Sequence, residues 1–229
     1  MATTRNGVTK SDTSTLVRAG VVLGASAIVG WLARRVSGHG ATPADAVVRR
    51  ETRSHTSGVT RVTALAVSVF GYPVVYVPAA LLLGRWLHGR RARGSRPLAA
   101  AALGGWATQR AIKLLVTRRR PPSQAGDSNE QRSFPSGHTT GVTAVAVTAA
   151  YVLYQQQLIT GPVAGGLAAA PPLLMGLSRV YADEHWATDV LAGMATGSAI
   201  AGIAAEAFER TNEWPNGRQT GIPHPASLE

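Results

Sequence analysis

VTALAVSVFGYPVVYVPAALLLG, residues 62–84, carries no charge and is long enough, at 1.5 Å per helical residue, to cross a hydrocarbon core of about 30 Å. Four segments downstream have the same character: Pro97 to Thr117, Thr139 to Leu158, Pro162 to Leu177 and Val190 to Phe208. They are rich in Ala and Gly, which lets helices approach closely in lipid, and Gly193 and Gly197 form a small-xxx-small pair. Pro171-Pro172 is expected to kink its segment. Upstream, Ala19 to Ala33 is shorter, preceded by Arg18 and followed by Arg34-Arg35. It reads as a short transmembrane helix rather than an interfacial or cleaved segment, because no small-x-small cleavage site follows it. The expected fold is therefore all-α, a polytopic membrane bundle of six transmembrane helices. One domain over residues 15–211 stands between a polar N-terminal tail, 1–14, and a polar C-terminal tail, 212–229, whose Leu228-Glu229 has the look of a cloning remnant.

Composition agrees with this class. Apolar residues make up 45% of the 229 and charged residues only 15%, too few charges to cover a soluble surface, and the mean hydropathy of +0.05 averages apolar runs with polar connectors. The formal charge of +11 does not imply nucleic acid, since the arginines cluster at the ends of apolar segments rather than in a stripe interleaved with aromatics. With no cysteine, disulfides, thiolate metal sites and a thiol nucleophile are excluded. The connector from Arg85 to Arg96 holds Arg85, Arg90, Arg91, Arg93 and Arg96 and no acid, which marks it as cytoplasmic. Counting from it, both termini are cytoplasmic, and the connectors after the third span, around Ser128, and after the fifth lie outside. The basic stretch from Arg34 to Thr60 also falls outside, against the rule, and the shorter and denser loop is given more weight.

Three polar clusters sit where helices end, all on the outer side in this topology: KLLVTRRRP, Lys113 to Pro121; PSGH, Pro135 to His138; and SRVYADEHWATD, Ser178 to Asp189. Lys113 and Arg120 are two helical turns apart, so they project from one face while Pro121 ends the helix. With Arg179 they supply three cations suited to phosphate oxygens, whereas Arg118 and Arg119 read as snorkelling side chains at the membrane surface. Ser136 is a favoured N-cap residue, so its hydroxyl and the amides of Gly137 and His138 are expected at a helix N-terminus, a natural anion site within reach of a proton-donating imidazole. His185 and Asp189, four apart, stack if helical, which lets the carboxylate fix the imidazole tautomer and leaves the other nitrogen free to attack.

Together the clusters resemble the signature of the type 2 phosphatidic acid phosphatase family: K-x6-R-P, then P-S-G-H, then S-R-x5-H-x3-D. Lys113, Arg120 and Pro121, then Pro135, Ser136, Gly137 and His138, then Ser178, Arg179, His185 and Asp189 match every specified position in order. The resemblance spans Pro97 to Phe208. It implies a six-helix membrane phosphatase with no metal or other cofactor. His185 is the nucleophile that takes the phosphoryl group, Asp189 orients it and His138 protonates the leaving oxygen, while Lys113, Arg120, Ser136, Gly137 and Arg179 hold the phosphoryl oxygens. The implied partners are the bilayer and a lipid phosphate, with polyprenyl diphosphate, phosphatidate and phosphatidylglycerol phosphate as alternatives. Ala-, Gly- and Arg-rich usage points to a bacterial inner membrane, with the site on its extracytoplasmic side. The rival readings are a vanadate-dependent haloperoxidase-like enzyme, whose relatives are soluble and longer, and a non-catalytic phospholipid-binding membrane protein. Two features sit awkwardly with the signature. Asp183 and Glu184 precede the nucleophile and would repel a polyanion unless turned away, and Arg110, deeper in the third span, is expected to face the site or pair with Asp189 or Glu184.

Overall fold

The computed structural model describes residues 10–90, 94–122 and 132–213. The outer parts of both polar tails, Arg91 and Arg93 of the basic connector, and Ser128 lie outside the described residues. The described chain is helical: α1 (Lys10–Val36), α2 (Pro43–Ser54), α3 (Gly58–Ser68), α4 (Pro73–Gly89), α5 (Ser95–Leu115), α6 (Gly137–Gln155), α7 (Gly161–Tyr181) and α8 (Ala187–Glu213), with a 3-10 turn at Val69–Gly71. α6 is the hub, packed against α4, α5, α7 and α8. α1 lies along α8, and α3 lies along α7.

The packing is that of a protein dissolved in lipid. Large apolar side chains face outward, among them Leu23, Trp31, Val74, Leu115 and Leu174, while the interior is built from Ala, Gly and Thr. The Gly193/Gly197 pair has the expected use. A Cβ on Gly197 would stand 2.5 Å from the Thr143 Cβ and 2.7 Å from the Thr140 carbonyl, and one on Gly193 would stand 2.8 Å from the Ser136 carbonyl. Only glycine admits α8 this close to α6. A cluster of Leu87, Leu98, Ala149, Val152 and Phe208 fills one end of the bundle, and Leu32, Val36, Val116, Phe134 and Ala192 fill the other.

Five of the six expected segments fall on one helix each, and the sixth, residues 62–84, is divided between α3 and α4. By length and composition alone, however, three described helices qualify as membrane spans, Thr13–Val36, Gly161–Tyr181 and Ala187–Arg210, or four if Gly58–Gly71 and Pro73–Gly89 count as one. That pair corrects the reading of residues 62–84 as one straight span, for the two halves meet at 52°. Pro73 has no amide proton and disfavours helical geometry in the residue before it, and Tyr72 is accordingly extended (φ −72°, ψ 139°). The weakest expected segment is instead a 27-residue helix, α1. α7 runs through Pro171 and Pro172 without interruption. α2 was not anticipated, although Thr42 and Asp45 form a reciprocal capping box around Pro43 at its first position.

Candidate active site

The C-terminal ends of α5 and α7 meet the N-terminal ends of α6 and α8 at one end of the bundle, opposite the basic connector between α4 and α5. All three polar clusters come together there, around a cleft of about 440 Å³ lined by Gly71, Pro73, Gln109, Arg110, Lys113, Arg120, Gly137, His138 and His185.

His185 sits on the turn between α7 and α8, not on a helix, and only Asp189 is helical. The two nevertheless meet. Asp189 stands in the first turn of α8 and its Oδ2 accepts the Trp186 amide at 3.0 Å, closing the helix start. This leaves the same oxygen 3.5 Å from His185 Nδ1. Nε2 therefore faces forward, 3.4 Å from Arg120 Nη1. Burial pushes the imidazole down to about 3, a shift that Asp189 opposes and that the nearby Arg120 and Arg179 guanidinium groups reinforce. At neutral pH the ring is uncharged, as a nucleophile requires.

His138, the second residue of α6, lies in the same cleft, and its buried Nε2 has no hydrogen-bond partner among the described residues. The break in the α3–α4 segment is what holds this ring. Tyr72 meets it edge-on with centroids 4.5 Å apart, and a Cβ on Gly71 would stand 2.5 Å from its Cδ2. Gly137 packs against Gln109, whose Oε1 would lie 2.9 Å from an added Cβ.

The five expected phosphate-binding residues divide. Lys113, Arg120 and Gly137 line the cleft, and the Lys113 ammonium donates to the Arg132 carbonyl. Lys113 and Arg120 do not share a helix face as expected, since α5 stops at Leu115 and the chain is extended from Val116. Ser136 begins α6, but its hydroxyl is fully buried, accepting from Thr139 Oγ1 at 3.0 Å, while its amide donates to the Asp189 carbonyl at 3.0 Å. Arg179 is also buried and is not part of the cleft wall. Its Nη2 lies 3.5 Å from the Glu184 carboxylate.

Behind Asp189 is a network that the sequence reading missed. Arg118, assigned there to the membrane surface, is wholly buried between two carboxylates, with Nη1 2.5 Å from Asp189 Oδ1 and Nη2 2.5 Å from Asp45 Oδ2. Thr188 joins Arg118 to Asp45, accepting from Arg118 Nη1 at 2.7 Å and donating to Asp45 from its amide at 2.9 Å and from its hydroxyl. Burial works to raise the Asp45 carboxyl, but hydrogen bonds from Thr188 and Thr42 and the charge of Arg118 outweigh it and hold the group below its ordinary value. Trp186 lies against the same arginine, its indole nitrogen donating to the Arg119 carbonyl at 2.8 Å.

The awkward acids take opposite roles. Asp183 turns away from the cleft into a two-pronged pair with Arg49 of α2 (2.7 and 2.8 Å). Glu184 points at the cations, 3.5 Å from Arg120 Nη1 and 3.5 Å from Arg179 Nη2. Arg110 reaches the cleft wall stacked 5.6 Å from the Trp106 ring, while Asp189 and Glu184 serve other arginines.

The site thus has an uncharged imidazole backed by a carboxylate, a second imidazole within the same cleft, and cations suited to phosphoryl oxygens. Such an arrangement supports displacement at phosphorus by positioning and charge stabilisation.

The family model described as PAP2 superfamily matches residues 94–213. The chain is similar to decaprenylphosphoryl-5-phosphoribose phosphatase of Mycobacterium tuberculosis, 33% identical over 148 residues that cover 62% of this chain and 76% of that protein. It is also similar to lipid A 1-phosphatase of Porphyromonas gingivalis, 36% identical over 103 residues, 45% of this chain and 21% of that one. Among solved structures, the transmembrane PAP2-type phosphatidylglycerolphosphate phosphatase from Bacillus subtilis shares the fold, with a TM-score of 0.63 at 19% identity over 85% of this chain and 96% of that one.

Proposed function

The chain belongs to the PAP2 superfamily and is an integral membrane lipid phosphatase, and from that premise we propose that it hydrolyses a terminal lipid phosphate through a phosphohistidine on His185. His185 Nε2 attacks phosphorus, the bond to the lipid oxygen breaks, and that oxygen takes a proton from His138. Water then attacks phosphorus and gives a proton to His138, and the phosphorus–nitrogen bond breaks with its electron pair returning to His185 Nε2, which releases inorganic phosphate and regenerates both rings. The observation that carries this reading is the forward-facing Nε2 of a buried, uncharged His185, beside Arg120 and braced from behind by Asp189. Burial and then the surrounding cations push His138 down to about 3, so it is uncharged at rest, and the phosphate's own charge offsets those cations and draws a proton onto the ring.

For the lipid, a polyprenyl-linked phosphate or diphosphate is preferred over phosphatidate or phosphatidylglycerol phosphate. Supporting it is the similarity to the decaprenylphosphoryl-5-phosphoribose phosphatase, which covers three-quarters of that protein. The site faces away from the cytoplasm of a bacterial inner membrane, a reading supported by the basic connector at the opposite end of α4 and α5.

Phosphate release from a panel of these four lipids, in detergent and with a strong chelator present, tests the activity. Release is expected with the polyprenyl substrates fastest, and no release from any of them discards the reading. Cysteines at Ser54 and Gly89, both exposed, test the orientation: they should label from opposite sides in intact cells, with Ser54 outside.

A further inference from the structure

Glu184 lies within ion-pair reach of two guanidinium groups that the phosphoryl group itself requires. Its Oε2 is 3.5 Å from Arg120 Nη1 and 3.5 Å from Arg179 Nη2, and the same Arg120 nitrogen donates to the Glu184 carbonyl at 3.0 Å and lies 3.4 Å from His185 Nε2. A phosphoryl group on Nε2 must set its oxygens beside Arg120, the cation this carboxylate already meets. Arg179 makes the conflict sharper. Its side chain is 6% exposed, it takes no part in the cleft wall, and Glu184 is the carboxylate it meets. The Glu184 side chain is 40% exposed, so it is able to swing toward solvent without opening the core. The adjacent Asp183 shows the contrast, being tied to Arg49 and Arg53 on the far side of the turn.

We propose that Glu184 is an internal anion that competes for the cations of the phosphoryl subsite at rest, holding Arg120 and Arg179 from beside the cleft, is displaced by a terminal phosphate, and returns to help expel inorganic phosphate. This rests on the phosphatase reading above and adds a basis for selection. A terminal phosphate monoester brings up to two negative charges and displaces one carboxylate at a net gain of attraction to Arg120 and Arg179. A phosphodiester headgroup brings one charge and gains nothing by the exchange. The bulk lipids of an anionic membrane are phosphodiesters, so the carboxylate keeps them out of a site that must stay open to the bilayer.

The test is Glu184→Gln in the full-length protein in detergent, with Glu184→Ala as a second variant. Removing the competing charge should tighten binding of inorganic phosphate and of vanadate by about tenfold, read as inhibition constants and as the phosphate-induced rise in melting temperature. The KM for the lipid phosphate should fall with them, and phosphatidylglycerol should inhibit the variants and leave the parent enzyme unaffected. Phosphate binding equal to or weaker than the parent's in both variants overturns the proposal, including the case where the variants fold less well. A parent protein that releases phosphate from no lipid sinks the phosphatase reading instead, and the melting-temperature series still decides what Glu184 does.

Discussion

The two faces of His185 are built on opposite plans. Behind the ring, Asp189, Arg118, Thr188 and Asp45 form a network in which two buried carboxylates share one buried arginine, and it meets the ring at His185 Nδ1, 3.5 Å from Asp189 Oδ2 and short of a hydrogen bond. In front of it, Arg110, Lys113 and Arg120 line a cleft where His138 Nε2 finds no hydrogen-bond partner among the described residues. A buried polar group left unpaired costs stability, so a fold tolerates it where a ligand completes the set. The rear fixes the geometry of the nucleophile once, at folding. The front stays incomplete until a phosphate arrives. Substitutions in front should therefore cost rate and spare the fold, while those behind should cost the fold first.

The largest effect is expected from His185→Ala, which should abolish turnover of every substrate because no phosphoenzyme forms, while the protein still unfolds cooperatively in detergent. Rapid-quench detection of acid-labile, base-stable phosphoenzyme with labelled substrate checks it, and phosphoenzyme persisting in the variant would reassign the nucleophile. His138→Ala comes next. Loss of a general acid typically costs 10² to 10⁴-fold, and it should do so on a lipid phosphate monoester while partly sparing an aryl phosphate whose leaving group needs no proton. Equal losses on both leaving groups would remove His138 from that role.

At the rear, Arg118→Met leaves Asp45 and Asp189 facing each other in the core without their shared cation. Breaking a buried ion pair from one side costs about 3–5 kcal/mol, so a large drop in melting temperature is expected. Adding Asp45→Asn to Arg118→Met should recover part of the loss, since it removes one of the stranded charges. If Arg118→Met melts like the parent and loses only rate, the division between the two faces is wrong.

How much of this was legible in the sequence depends on the distance over which each feature is encoded. Apolar runs and helix-end motifs are local, so the helical segments and the convergence of Lys113, His138 and His185 could be read directly. The bend at Tyr72 was also encoded locally, in Pro73, but the uninterrupted hydrophobicity of residues 62–84 masked it. α2 had its own signal in Thr42-Pro43-Ala44-Asp45, too short and polar to register among membrane spans. Arg118 is different in kind. Three consecutive arginines look alike in sequence, and what buries the first of them is Asp45, 73 positions away, a pairing that no single sequence displays. Ser136 and Arg179 were placed at the right helix ends, yet their burial follows from packing between helices and has no local signature.

The smallest effect is expected on the turn that joins the two faces, at Asp183. This residue holds a left-handed backbone (φ 58°), a conformation that Asn and Asp adopt more readily than other side chains, and its carboxylate is clamped by Arg49, which also donates to the Pro122 carbonyl at 2.6 Å. The clamp ties α2 to the segment that carries Glu184 and His185, so it should matter modestly to both stability and rate. Asp183→Asn keeps the tolerance for the left-handed backbone and gives up only the charge. A loss of about 1 kcal/mol or less is expected, because the pair is partly solvated. Asp183→Ala loses the same pair and must also hold the strained backbone with a side chain that disfavours it, which adds about 1–2 kcal/mol. Asp183→Gly removes the steric penalty but frees the unfolded chain, and it should fall between the other two. Melting temperatures in the order Asn, Gly, Ala, with kcat/KM on the lipid phosphate changing by less than about tenfold throughout, would show the turn acting as a strut. Should Asp183→Asn alone remove most of the activity, the charge of Asp183 belongs to the front of the site after all.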